Sequence, residues 1–501
     1  MENKVTEEIA IGSFWNFILT LSARLGSIFF VIIIARFLMP ENFGIYTLAV
    51  SIALILLVTI DAGINQTLLK YVAEALNKKD KKLAAASFRF LFKLKLTITI
   101  FVSFLLILIA FPLAYYVFRK PPLFLPIVFS SLYILVNSIG SFYSSYFYII
   151  KKLWHVTIKQ IIFEVLRILG VLFIFLILAK EQYVMGTISV LSLSMIIAAS
   201  YLIYNIKKIS PFLYEKSNES FNKNKILEFS FYFATIGSLL IIFGYVDTIM
   251  LGIFLEASYV GYYSAALALV TGIWGFLNLS QILLPIMSEI KDNEIRKELS
   301  KVFKYLSILS IPAIFGIFIL GKFFIAFIYG YDYLPAMTPF YVLSFLIFII
   351  PTIEIITPIF YSREKPKIII KGLIIATILN ITLNYFFINT LLKISSSMAL
   401  VGAAMATVIS QSVFLTLLLM RAKKESNISL NIGYTIKPII ASSIMALILF
   451  YINSNISDFN IFIGIGEIFL GVIIYFSVIL MIKGLKKEDY ALFKDLLRKF
   501  F

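Results

Sequence analysis

The chain has 501 residues, of which 61% are hydrophobic and 14% charged, with a mean hydropathy of +0.97; a soluble surface needs roughly 25% charged residues. That excludes a water-soluble globule and, with 49 Phe and 28 Tyr, a fibrous or disordered chain. Zero Cys excludes disulfide frameworks, thiolate metal sites and cysteine nucleophiles; the single His excludes His-cluster metal sites; and the net charge of +17 has to be read by its position along the chain.

Crossing about 30 Å of hydrocarbon takes about 20 apolar residues at 1.5 Å each. The hydropathy pattern predicts fourteen such spans, at 11–39, 43–66, 94–118, 123–150, 156–179, 183–206, 226–252, 258–285, 303–328, 334–361, 367–390, 398–420, 438–453 and 460–483. The expected fold class is an all-α polytopic membrane protein. Lipid-facing backbone must satisfy its own hydrogen bonds, and the short alternating segments of a barrel are missing from the sequence.

The gaps separate by charge. Those after even-numbered spans hold Lys78, Lys79, Lys81 and Lys82; Lys151 and Lys152; Lys207, Lys208, Lys223 and Lys225; and so on to Arg421, Lys423 and Lys424. Gaps after odd-numbered spans hold little beyond Arg119, Lys120, Lys180 and Lys393. The positive-inside rule then places the even gaps and both termini in the cytoplasm of a cell-membrane protein. Glu2, Glu7 and Glu8 stand where a signal peptide would be basic. The outer gaps are a few residues long, so no soluble catalytic module is expected. From Leu485 to Phe501, apolar residues fall on one helical face and Lys487, Lys494, Arg498 and Lys499 on another, which predicts a helix lying along the inner surface.

An internal match at an offset of 217 residues lays Phe37–Ala49 over Phe254–Ala266, with Phe, Leu, Gly, Tyr and Ala recurring in register. Each copy has an even number of spans, so the repeat is parallel: two six-helix bundles, 1–215 and 216–425, followed by 426–501 with two further spans and the tail. Two look-alike bundles about an axis along the membrane normal are transporter architecture.

The run Ala35-Arg36-Phe37-Leu38-Met39-Pro40-Glu41-Asn42-Phe43-Gly44-Ile45-Tyr46, then Asp61-Ala62-Gly63 and Lys70-Tyr71, resembles the N-terminal signature of polysaccharide-biosynthesis oligosaccharide flippases. Gly244–Thr248 with Val260–Ala266 resembles its second-half counterpart. This family shares a superfamily with lipid II flippases and multidrug and toxin extruders. The resemblance implies a V-shaped pair of six-helix bundles and movement of a polyprenyl-diphosphate-linked oligosaccharide between leaflets, with a cavity arginine on the first span. Relatives have twelve or fourteen spans.

A charge at the bilayer centre costs about 2.5–3.5 kcal/mol even on lenient scales, so each needs a partner, a wet cavity or a route to the interface. Arg24 lies near mid-depth of span 1 with no acid within a turn; it either pairs with an acid on another helix or holds a diphosphate bidentately in a central cavity. Glu164 and Arg167 are three apart and face each other, as a structural pair or a substrate or proton site. Asp61 and Asn278 stand at the 217 offset toward the cytoplasmic ends of spans 2 and 8, as gate or cap. Asp247 is expected near the outer end of span 7, where interfacial water reduces its cost. Glu354 lies between Pro351 and Pro358, where a kink is expected to make an ion site. Asn137, Asn380, Asn384 and Gln411 read as ligands or as interhelical glue. His155 is expected in a cytoplasmic loop. Glu467 in span 14 has no evident partner.

The expectation is a flippase for a lipid-linked oligosaccharide. Arg24, Arg167 and Asn137 are the candidate substrate residues, and Asp61, Asp247, Asn278, Glu164 and Glu354 the candidate gating or ion-coupling residues. The lipid tail would stay in the bilayer along spans 13–14. Membrane lipids, and Na⁺ or H⁺ as coupling ion, are the further partners; no cofactor, metal or nucleic acid is expected, and no P-loop is present. The alternatives are a cation-coupled multidrug-extruder-type antiporter, which favours acids on span 1, and a membrane glycosyltransferase or ligase, which needs carboxylates on a sizeable outer loop.

Overall fold

The computed structural model describes residues 2–215, 221–277, 292–363, 365–426, 430–454, 461–485 and 489. Asn278 and nearly all of the expected C-terminal surface helix lie outside them. The described residues form helices and connecting turns without a strand: α1 Glu2–Asn77, α2 Lys81–Pro112, α3 Phe124–Ile149, α4 Leu153–Ile177, α5 Tyr183–Ile209, α6 Lys223–Phe254, α7 Ala257–Gly275, α8 Asp292–Ile328, α9 Met337–Leu343, α10 Leu346–Ser362, α11 Pro366–Leu392, α12 Ser396–Ser426, α13 Gly433–Ser454 and α14 Ile461–Met481. Among the described residues, eleven stretches are long and apolar enough to cross a membrane, or twelve with the bent α9–α10 pair. One of the eleven, Ile11–Leu57, takes in expected span 1 and much of span 2, and expected span 8 runs beyond the described residues, so the count of fourteen is not established. The chain is a multi-pass helical membrane protein.

Two compact units form. The first comprises 1–265 with 381–399, and the second 266–380 with 400–501. In the first, α1 breaks at Met39 (φ 62°, ψ 167°), because Pro40 bars its predecessor from the helical region. The expected loop at 40–42 is thus a sharp break at Met39 between two helices, with Pro40 opening the second.

Three contacts set the register of α4 on the first half of α1. Thr157 donates to the Trp15 carbonyl (3.0 Å), Glu164 covers Gly26, and Phe37 stacks on Phe175 at 4.6 Å. Both numbers rise together, so the two segments are parallel, as the alternation of spans 1 and 5 requires. The second half of α1 lies antiparallel on α6, from Leu48 against Gly252, through Thr67 bonded to Ser230 (2.7 Å), to Tyr71 edge-on to Phe229. Small residues at Gly63, Gly252 and Ser230 let the backbones approach.

The tightest approach joins the two repeat segments. A Cβ on Gly44 would collide with the Ala257 carbonyl, and one on Gly261 with the Pro40 carbonyl. The offset of 217 carries Pro40 onto Ala257 and Gly44 onto Gly261, so the contact is reciprocal, as a local twofold axis demands. Gly44→Ala and Gly261→Ala each push a methyl into a carbonyl that cannot swing away. Each should destabilise by about 3 kcal/mol, the upper end of overpacking costs, seen as a lower midpoint in detergent thermal unfolding and a smaller monodisperse fraction; unchanged melting would refute the close approach.

In the second unit, α8, α13 and α14 share a core of Ile308, Ala441, Met445, Leu449, Tyr475 and Ile479. The bend of 45° in the α9–α10 pair falls between Leu343 and Leu346, not between Pro351 and Pro358 as expected. Pro351 has no N–H for the Ile347 carbonyl, and the bend upstream is bridged by three-residue bonds, Phe345 N–H to Val342 O (3.4 Å) and Ile347 N–H to Ser344 O (2.9 Å). Glu354 sits half-buried in unbroken helix.

Candidate functional site

Polar side chains inside the first unit fall into satisfied clusters and groups without partners. The largest cluster centres on Asp61 in α1. Its carboxylate pairs with Lys95 of α2 (3.0 Å) and accepts from Ser138 (2.8 Å) and Ser141 (2.5 Å) of α3. Lys95 also donates to the Asn65 Oδ1 (2.6 Å) and Ser141 (3.0 Å), and Thr99 meets Ser138 at 3.0 Å. Lys95 is 2% exposed. Removing both charges from water is tolerable only because the lysine's three protons and the carboxylate's lone pairs find this many partners. Sequence reasoning missed Lys95. Its signal was a polar stripe, Lys95, Thr99 and Ser103, at spacing four on an apolar helix, all three buried.

Glu164 and Arg167 of α4 do face each other, through Arg167 Nη2 (2.5 Å) and Nε (2.7 Å) to Oε2. Gln160 donates to the other oxygen (2.8 Å), and the guanidinium lies over Phe30 and Phe163. Both charges of this pair are occupied. Asp247 of α6, 4% exposed, accepts from Asn384 of α11 (2.6 Å) and Tyr263 of α7 (2.7 Å), so Asn384 serves as interhelical glue. Asn380 reaches Thr407 at 3.4 Å in the second unit. His155 is not in a loop: it is buried in the first turn of α4, against Trp154 and Phe147, with Nδ1 3.0 Å from the Tyr201 hydroxyl.

Three residues differ from these. Arg24 is half-buried on α1 and makes no hydrogen bond or ion pair among the described residues. Counting 100° per residue, Arg24 lies about 200° around the helix from Gly26, the residue that meets Glu164, so it turns away from α4 and is not brought to Arg167. Asn137 of α3 is half-buried and likewise unbonded among the described residues. One turn on, Gly140 of α3 has the Lys159 Cε 3.9 Å from where its Cβ would stand. Lys159 is 8% exposed, has the Phe163 ring at 6.0 Å and feels the Glu164 carboxylate, and makes no hydrogen bond or close ion pair among the described residues. Asn137 and Lys159 thus share one side of α3, and Lys159 is a second residue that sequence reasoning missed. A guanidinium, an ammonium and an amide that make no hydrogen bond among the described residues can bind anionic and hydroxyl-rich groups. Among the described residues no three His, Asp or Glu side chains converge as a metal site would need.

Comparison with known proteins gives the following. A family model described as polysaccharide biosynthesis protein matches residues 9–291. Among solved structures, the lipid II flippase MurJ in its inward closed conformation superposes with a TM-score of 0.76 at 17% identity, covering 94% of this chain and 98% of that one. An inward-facing multidrug resistance MATE family transporter of the MOP superfamily gives 0.63 at 14%, covering 82% and 99%. The MATE transporter VcmN of Vibrio cholerae gives 0.56 at 11%, covering 84% and 99%. At these identities the likeness is one of fold. No curated protein matches.

Proposed function

Because the chain belongs to the polysaccharide biosynthesis protein family, we propose that it is a flippase carrying a polyprenyl-diphosphate-linked oligosaccharide from the inner to the outer leaflet by alternating access. A sugar diphosphate cannot shed its water into hydrocarbon without losing several kcal/mol per unsatisfied polar group. A wet path lined by protein removes that barrier, while the lipid chain stays in the bilayer. The halves that alternate are the repeats 1–215 and 216–425, with 426–501 appended, in a cell membrane and with both termini cytoplasmic.

One observation carries the reading: Arg24, near mid-depth in the first span, has no internal counter-charge among the described residues. A guanidinium is the side chain suited to gripping phosphate oxygens two at a time, and Asn137 and Lys159 add donors for hydroxyls or a second phosphate oxygen. Arg167 belongs to the frame rather than the grip, since Glu164 holds it. Asp61 with Lys95 is the candidate for coupling to H⁺ or Na⁺, because a buried pair changes its partners when it gains or loses an ion.

The rival reading is a cation-coupled extruder, favoured by the shared fold with MATE transporters. It needs an unpaired acid where this chain presents Arg24. Reconstituted protein, loaded in turn with a polyprenyl-diphosphate sugar and with a lipophilic cationic dye, separates the two. The proposal expects leaflet exchange of the former and no gradient-driven export of the latter; the reverse outcome would overturn it.

A further inference from the structure

The second unit contains a cavity of about 430 Å³ walled by α8, α13 and α14, with Ile273 of α7 at its edge. Pro312, Gly316 and Leu320 of α8, Met445 of α13, and Gly471 and Phe476 of α14 form its sides. The size is that of a small-molecule site. Its lining is apolar with one conspicuous exception: Glu467 of α14 is 3% exposed, lines the cavity, and has no hydrogen-bond partner within 3.5 Å of either oxygen. Asn453, near the end of α13, is the polar neighbour that acts on it, and no cation does so among the described residues. The other polar group in the wall, the Tyr475 hydroxyl, is committed to the Ile308 carbonyl at 2.8 Å.

A carboxyl in an apolar wall whose one polar neighbour is a neutral amide beyond 3.5 Å carries a desolvation cost that the fold offsets only weakly. Asp61, Glu164 and Asp247 all sit inside the same chain with two or more donors each, so unpartnered burial is not its habit. We infer that this cavity is a binding site for a single-chain amphiphile with a terminal ammonium group, the ammonium on Glu467 and the chain along the trough toward Tyr475 and Phe476. From Glu467 to Phe476 the trough runs roughly 13 Å by helical rise, room for an alkyl chain. A polyprenyl tail fits the walls equally well but brings no donor, and would leave the carboxyl as it is. The charge therefore selects the amine, and the inference stands whether or not the chain is a flippase.

The glycines supply a clean test. Nothing lies within 4 Å of where a Cβ on Gly316 would stand, so Gly316→Phe fills the cavity without displacing backbone. Full-length protein in detergent is titrated with dodecylamine, dodecan-1-ol, dodecanoate and a short polyprenol, and dissociation constants are read by native mass spectrometry. Dodecylamine should bind wild type at least about tenfold more tightly than the alcohol or the polyprenol, as a charge-assisted bond adds to equal apolar burial. Glu467→Gln, nearly the same shape, should erase that advantage and leave the alcohol's affinity unchanged; Gly316→Phe should weaken both. Equal binding of amine and alcohol to wild type, or an undiminished amine preference in Glu467→Gln, overturns the assignment; preferred binding of the polyprenol would make the trough a tail groove instead.

Discussion

Arg24→Ala is expected to remain folded and to slow flipping of a polyprenyl-diphosphate sugar by ten- to hundredfold. The side chain makes no hydrogen bond or ion pair among the described residues, so its removal strands no partner and opens no buried charge. What is lost is a charged hydrogen-bonding contact to substrate, about 1.5–3 kcal/mol, and each 1.4 kcal/mol is a decade in affinity. Arg24→Lys keeps the charge and loses the planar fork, and should fall between the two. The readout is the initial rate of leaflet exchange in proteoliposomes, alongside the detergent melting curve. A variant that melts as wild type and flips at the wild-type rate removes Arg24 from the mechanism; one that fails to fold would show the arginine to be structural.

Lys95→Met and Asp61→Asn are expected to behave in the opposite way. Each leaves one member of a buried pair facing donors or acceptors arranged for the other. Breaking such a pair costs about 3–5 kcal/mol, whereas replacing both members can be neutral. Both single variants should therefore melt well below wild type, and the double variant should recover a large part of the loss. Recovery falls short of complete because Ser141 and Asn65 still lose the ammonium they contact. Thermal unfolding of the four proteins closes the cycle; strictly additive losses would mean that the two charges do not act as a pair.

How much of this was legible follows from what hydropathy can see. It located the apolar middles of the helices and underestimated their ends: α1 runs on to Asn77 where the apolar pattern stops at 66, and α8 begins at Asp292 rather than 303. Beyond the lipid, helical turns carry polar residues that no membrane rule counts. Glu164 with Arg167 was readable because three residues bring side chains together on one helix. Lys95 was not, since its partner is on another helix and a lysine at a span's cytoplasmic end is absorbed by the positive-inside rule. Asp247 with Asn384 lies 137 positions apart, and only tertiary packing could join them. The repeat match at Gly44 and Gly261 was visible as letters; that both positions exclude a Cβ against the other's segment was visible only in three dimensions.

The account depends on Arg24 standing in a water-accessible path that admits an anionic headgroup, and the absence of cysteine from the chain makes that directly measurable. In proteoliposomes, a protein whose single thiol is introduced by Arg24→Cys is treated with a membrane-impermeant maleimide, with and without a polyprenyl-diphosphate sugar. The account predicts rapid labelling that saturating sugar lipid slows; a thiol that stays unmodified in the folded protein would contradict it.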